Sequence, residues 1–227
     1  HEQQFSSSKL INRNVDVKDD ELNDYLKEIR QEFNYGEIQS YFDKISDYKV
    51  LLIGDIILDE YQFVSPLGKS SKSATITAKK LNTELYAGGV LAVANHIADF
   101  VKEVTLVSTY GQNGGTDYYD FIKDNLHEHV QFDPLYVPDR PTTLKRRLVD
   151  KVFKHKLFEV IEIDDSPLGD DQTNQLIEKI DNYHDYDLIV VADFGHGLLD
   201  KKLVNHITSK DTFLSVNAQT NSANKGY

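Results

Sequence analysis

Two aspartates four residues apart, Asp55 and Asp59 in GDIILDEY, follow the first strongly apolar run of this 227-residue chain. At the carboxyl end of a strand in an open α/β sheet, such carboxylates are placed to accept hydrogen bonds from ligand hydroxyls, although either could also serve as a turn or cap residue. Gly88 and Gly89 open a helix-periodic run, where missing side chains let the backbone turn sharply and leave amide groups available. GQNGGTDYYDF, from Gly111, offers a second glycine-rich entry to a helix, with a capping loop as the alternative. PTTLKRRL gathers Lys145, Arg146 and Arg147; on a strand Lys145 and Arg147 share one face and Arg146 takes the other, fit either for a phosphate or for a solvated edge. ADFGHG ends another apolar run with Asp193 and His196, and His196 is able to meet a phosphate, donate a proton or serve structure alone.

Other chemistries are excluded by what these residues lack. The glycine pair forms neither GxGxxG nor GxxxxGK[ST], which disfavours a dinucleotide-binding oxidoreductase and a P-loop. His127 and His129 point opposite ways on a helix and have no third ligand at a useful spacing, so no metal site is expected. There is no cysteine, hence no disulfide and no thiolate site. With 25 basic against 37 acidic residues, the net charge of −12 disfavours general attraction to nucleic acid or an anionic membrane, so any anionic ligand must be met by local cations. No apolar run approaches a membrane span and no signal-peptide pattern opens the chain, which leads us to expect a cytoplasmic protein.

The elements that must position these residues follow from periodicity. KVLLIG, EVTLVS (103 to 108), DLIVVAD (187 to 193) and TFLSVN (212 to 217) are short continuous apolar runs, the pattern of strands covered on both faces. Helices are predicted between them over 89–100, 117–127, 170–183 and 200–209, with Leu91, Ala94, Ile97 and Ala98 on one face of the first. Alternation of this kind predicts βαβ units and a mostly parallel sheet. Residues 61–87 and 142–164 break the rhythm with polar, locally alternating segments, the second turning near Asp150 and Lys151, and are expected to form a small sheet covering a site. Upstream, the acidic stretch 17–46 carries Leu22, Leu26, Ile29 and Phe33 at helical spacing; Gly36 is expected to divide it into two helices. The chain starts at His1 and contains no methionine, so it is expected to be a piece of something longer.

GDIILDEY, AGG opening a helix, PTTLKRR and DLIVVADFGHG, in that order, resemble the ribokinase-like (PfkB) carbohydrate kinases over about residues 48–227. The likeness is nearest to the heptose-phosphate kinase domain of bifunctional ADP-heptose synthesis proteins. It implies a three-layer α/β/α fold with a β-lid, and phosphoryl transfer from ATP with Mg²⁺ to a sugar or sugar phosphate. Asp55, Asp59, Gly88, Gly89 and Asp193 would then be substrate-binding residues, Lys145 and Arg147 would meet a substrate phosphate, and His196 and Asn217 would lie toward the nucleotide. Lid strands in such kinases often pair subunits, which implies a homodimer. The magnesium and catalytic motifs of the family lie downstream of the part matched, so the resemblance assigns these residues most of a sugar site, no catalytic residue and no ATP site.

Several positions depart from the family pattern. A polar asparagine is replaced by Ala92, a lysine by His196, an aspartate-proline-lysine run by Asn217, Ala218 and Gln219, and a proline-rich lid segment by Ser70 to Ala74. These departures motivate an alternative: a non-catalytic kinase-like module that binds a sugar or nucleotide sugar, or pairs subunits. HEQQFSSSKLINR at the start resembles the last signature of nucleotidyltransferases, with a capped helix start as the alternative. The expected order is therefore the end of a nucleotidyltransferase-like domain over 1–16, an acidic helical linker over 17–47, and the first part of a sugar kinase domain over 48–227.

Overall fold

A computed structural model describes residues 20–219. The nucleotidyltransferase-like signature over 1–13 lies outside them. The chain divides into two units, one ending at Ile45 and the other beginning at Ser46.

The described part of the first unit holds α1 (Asp20–Glu32) and α2 (Tyr35–Ile45). The break falls at Phe33 and Asn34 rather than at Gly36, which lies inside α2. Asn34 explains the shift: its side chain accepts from the Glu37 amide at 2.9 Å while Glu37 accepts from the Asn34 amide at 2.9 Å. This reciprocal cap satisfies donors that a helix start otherwise leaves open, and outweighs one glycine.

In the second unit, a five-stranded parallel sheet is built from β1 (Lys49–Gly54), β4 (Glu103–Val107), β6 (Val130–Phe132), β10 (Leu188–Asp193) and β11 (Phe213–Ala218). Its order is β11-β10-β1-β4-β6. The central strand β1 sets the register, Leu52 lying opposite Val190 on one side and Leu106 on the other. One face is packed by α3 (Val90–Ala98) and α4 (Tyr119–Asp124), through Leu91, Ala94, Ala98 and Ile122. The other is packed by α5 (Asp170–Asp181) and α6 (Lys201–Thr208), through Leu176, Ile180, Leu203 and Ile207. Leu52 and Leu51 enter these two clusters from opposite sides of β1. This is the parallel sheet expected from the alternating pattern, in the three-layer α/β/α arrangement that the resemblance implies. Asp200 joins two outer helices: it accepts from the Leu203 amide at 2.7 Å as the α6 cap and from Thr173 Oγ1 of α5 at 2.8 Å.

The off-rhythm segments form a second sheet of β2 (Ile56–Lys69), β3 (Ile76–Gly89), β8 (Thr143–Asp150) and β9 (Lys156–Glu162), in the order β3-β2-β8-β9. Its bounds differ from those expected. The first lid strand begins at Ile56, so Asp59 lies inside the lid and not in the turn after β1. The helix expected over 117–127 shrinks to Tyr119–Asp124, because the Asp117 carboxylate accepts from the Tyr119 amide at 2.9 Å and Asn125 closes the far end on the Phe121 carbonyl at 2.8 Å.

Candidate sugar-binding site

The carboxyl ends of β1 and β10 are neighbours in the sheet, which brings Asp55 and Asp193 together although 138 positions separate them. Asp55 is 5% exposed, and its Oδ2 accepts from the amides of Phe194 at 2.9 Å and His196 at 3.5 Å. Burial raises its carboxyl above the ordinary carboxylate range, the two amides oppose that, and the Asp193 charge adds to it. Asp55 therefore braces the DFGHG turn from beneath.

Asp193 is 2% exposed; one carboxylate oxygen accepts from the Gly195 amide at 2.8 Å, and the buried Oδ2 has no partner. An unpaired buried oxygen of this kind costs desolvation energy unless something donates to it. His196 Nε2 is also buried without a partner, and its imidazole is held neutral, pushed down to about 4 by burial and then by the Lys145 charge. His196 thus offers a neutral ring beside the cleft and not an imidazolium.

Arg140 was not singled out by its sequence context. It is 9% exposed and its Nη2 donates to the carbonyls of Ser166 and His196, both at 2.8 Å, tying the DFGHG turn to the loop before α5. A Cβ on Gly197 would press on that guanidinium at 2.5 Å, and Gly197 has φ +82°, so glycine is required twice over there. Arg140 sits between two prolines, but its partners are 26 and 56 positions away, a relation that local pattern does not encode. A small cavity beside it is bounded by Asp55, Thr109, Thr142, Thr143 and His196.

The lid contributes the second group. Asp59 lies opposite Lys145 in the β2–β8 pairing. Gly88 makes room for it: a Cβ there would overlap Asp59 Oδ2. Gly89 does a different job. Its φ is +58°, and a Cβ would stand 2.6 Å from the Asp55 carbonyl, which accepts from the Val90 amide at 3.0 Å. The glycine pair therefore lets the lid strand turn into α3 against the end of β1, and the first α3 amide is used inside the protein. Ala92, in the first turn of α3, brings no polar group to the cleft.

The three cations of PTTLKRRL have distinct surroundings. Arg147 pairs with Asp59 and with Glu159 at 2.5 Å, and its guanidinium stands 5.3 Å from the Tyr61 ring centre. Arg146, on the opposite face, pairs with Glu60 at 2.6 Å and Glu162 at 3.0 Å. Lys145 has no ion-pair partner among the described residues, while its charge reaches His196. Asn217 is exposed on the edge strand β11 and is not gathered into this group. His127 and His129 touch each other, their ring centres 4.8 Å apart, and no group of three His, Cys, Asp or Glu able to hold a metal occurs among the described residues.

A five-stranded parallel sheet between two helical layers, carrying a four-stranded lid over the carboxyl ends of its strands, defines the ribokinase-like fold of carbohydrate kinases. In a comparison of folds, the chain is similar to phosphofructokinase-2 from Escherichia coli, solved in complex with fructose-6-phosphate, with a TM-score of 0.55 over 78% of this chain and 56% of that one at 13% identity. In sequence it is similar to the bifunctional protein HldE of Bradyrhizobium diazoefficiens, 28% identical over 167 residues, which is 71% of this chain and 33% of that protein. It is also similar to the bifunctional protein HldE of Trichlorobacter lovleyi, 25% identical over 174 residues, 76% of this chain and 35% of the relative. The chain thus spans about a third of the length of the curated relatives it matches. No family model matches it.

Proposed function

We propose that this chain is the sugar-binding part of a carbohydrate kinase that phosphorylates a sugar or sugar phosphate, possessing a heptose-phosphate-like substrate and fused to a nucleotidyltransferase as the bifunctional name of its relatives suggests. The observation that carries the reading is the lid carboxylate of Asp59 lodged against Gly88 and opposite Lys145, whose charge reaches His196 among the buried polar groups at the strand ends. A sugar hydroxyl can donate to Asp59, a charge-assisted contact, while Asp193, buried at the end of β10, supports the site from within. Lys145 is the cation left for a substrate phosphate, because Arg147 is already met by two carboxylates and acts as the clamp that orients Asp59. Asp55 and Gly89 support the site by holding the DFGHG turn and the lid hinge.

ATP with Mg²⁺ is the phosphate donor this reading implies. The described residues do not supply its ligand set: they hold no group of three metal-binding side chains, and Asn217 and His196, the two positions expected toward the nucleotide, do not converge on one carboxylate-lined pocket. In-line phosphoryl transfer demands positioning and charge neutralisation, and these residues provide the acceptor side of it. Domain order is proposed as a nucleotidyltransferase-like end over 1–16, a helical linker over 17–47 and the kinase part over 48–227, in a homodimer joined through lid strands and working in the cytoplasm. Among the described residues no helix is long and apolar enough to cross a membrane.

The test is ADP formation by the longer protein containing these residues, with phosphorylated and unphosphorylated heptoses and hexoses. Asp59→Asn is expected to lower kcat/KM about ten- to a hundredfold, the worth of a hydrogen bond to a charged group. Lys145→Met is expected to raise KM for the phosphorylated sugar and leave the unphosphorylated one unchanged. Absence of turnover with every sugar overturns the kinase reading; sugar binding without turnover leaves the non-catalytic module in its place.

A further inference from the structure

The two hairpins of the lid are rooted on one short turn of the central sheet. The first is closed by Asp55, the residue before β2: its carbonyl accepts from the amide of Val90, the residue after β3, at 3.0 Å. The second is closed by Arg140, three residues ahead of β8, whose Nη2 donates at 2.8 Å to the carbonyl of Ser166, four residues past β9. Each closing residue also grips the DFGHG turn. The Asp55 carboxylate accepts from the Phe194 amide at 2.9 Å and, more weakly, from the His196 amide at 3.5 Å. The same Arg140 Nη2 donates to the His196 carbonyl, also at 2.8 Å. His196 thus meets one hairpin through its N–H and the other through its C=O.

Asp55 and Arg140 are both buried, so breaking either grip strands polar groups away from water. Arg140 is held at its backbone as well: its amide donates to the Val137 carbonyl at 3.2 Å, and a Cβ on Gly111 would overlap the Arg140 carbonyl. Both Nη2 bonds go to main-chain carbonyls, so what the guanidinium fixes is the path of the backbone. Beyond these roots stand the lid groups of the site. Asp59 is four residues from Asp55 on β2, and Lys145 is five from Arg140 on β8. At about 3.3 Å per strand residue, a tilt of about 5° at the root moves Lys145 by about 1 Å.

We propose that the DFGHG turn is the common root of both lid hairpins and that Arg140 is a positioning residue for sugar phosphorylation. Through the Ser166 and His196 carbonyls it sets where Lys145 and Asp59 stand relative to the ends of β1 and β10. Its effect on turnover rests on the sugar-kinase reading, whereas its grip on the lid does not. A misplacement of about 1 Å costs about a hundredfold in rate. Because Arg140 acts through main-chain groups, losing it changes the place of the ligand-binding side chains and not their chemistry.

The test has two arms. In the first, hydrogen exchange of the 227-residue chain compares the parent with Arg140→Met. Amides of β2, β3, β8 and β9 should exchange faster in the variant, while those of β1, β4 and β10 keep the parent's rates. Equal acceleration of every strand, or none in the lid, overturns the common root. In the second, ADP formation by the longer protein is measured with a phosphorylated sugar and its unphosphorylated counterpart. Arg140→Met should raise KM for the phosphorylated sugar and lower its kcat/KM about a hundredfold. Mere loss of folded protein would instead lower kcat for both sugars alike and leave KM unchanged. Arg140→Lys, whose ammonium has donors for both carbonyls, should bring KM back toward the parent value. Gly197→Ala, which presses on the guanidinium while leaving it present, should reproduce the rise in KM. An unchanged KM ratio between the two sugars in Arg140→Met and Gly197→Ala overturns the positioning role. If the parent turns over no sugar, that role falls with the kinase reading, and the first arm alone decides the common root.

Discussion

His196 shows how one side chain ties the candidate site to the stability of the whole unit. Its ring is neutral in the folded protein because burial, and then the Lys145 charge, push it down from 6.5 to about 4. In the unfolded chain the imidazole takes a proton as pH falls through 6.5, and in the folded chain it does so only near 4, so the unfolded state binds more protons in that window. The stability this neutral histidine contributes is present above pH 6.5 and is lost as pH falls toward 4. Urea unfolding at about pH 7.5 and about pH 4.5 should show a smaller drop in midpoint for His196→Gln than for the parent. An equal drop in both would mean that His196 is protonated in the folded state. Asp55 works in the opposite sense, its raised carboxyl adding to stability at low pH and losing that contribution as pH rises, so the His196 variant isolates one of two opposed terms.

At the scale of elements, the lid is held by polar networks on both faces. Arg146 bridges Glu60 of β2 and Glu162 of β9, and Asn113 Nδ2 joins them by donating to Glu162 at 3.1 Å and to the Thr142 carbonyl at 2.9 Å. Glu60 is only 12% exposed at its side chain, so removing its partner strands a largely buried carboxylate. Arg146→Met is expected to cost about 1–3 kcal/mol in urea unfolding. Arg146→Met/Glu60→Leu should recover part of that loss, because an apolar pair leaves no charge unpaired. If the double variant loses the sum of the two single losses, the bridge is not coupled. The existence of this lid was legible in the sequence, since 61–87 and 142–164 lack the apolar runs of the central strands. Its inner edge was not: the run IIL after Asp55 reads as the tail of a buried strand, yet it belongs to β2, where Ile56, Ile57 and Leu58 are buried between lid and sheet. Strands as short as Val130–Phe132 were likewise invisible, because three residues carry no periodicity and their place at the sheet edge is set by pairing with β4. The pairing of Asp55 with the DFGHG turn and the grip of Arg140 on that turn both arise from strand order, which no local pattern specifies.

Across the second unit, the central sheet couples two apolar layers that share no helix. Leu91 of α3 and Leu203 of α6 are each 0% exposed and lie in different clusters. What connects them is β1, whose neighbours Leu51 and Leu52 fill opposite layers and whose backbone is paired on both sides. A layer cannot open without baring the face of a strand that the other layer needs, so the unit is expected to unfold as a whole. Leu91→Ala and Leu203→Ala should each cost about 2–5 kcal/mol, the transfer and cavity cost of a buried leucine. Their losses should add to within about 0.5 kcal/mol in the double variant, because the side chains share no partner. Tyrosine fluorescence is the natural second probe, since the chain has 13 tyrosines and no tryptophan. For both single variants, its urea transition should coincide with the one seen by far-ultraviolet circular dichroism, with an unchanged slope. Separate transitions in either variant would show that one helical layer can detach while the parallel sheet and its other layer remain folded.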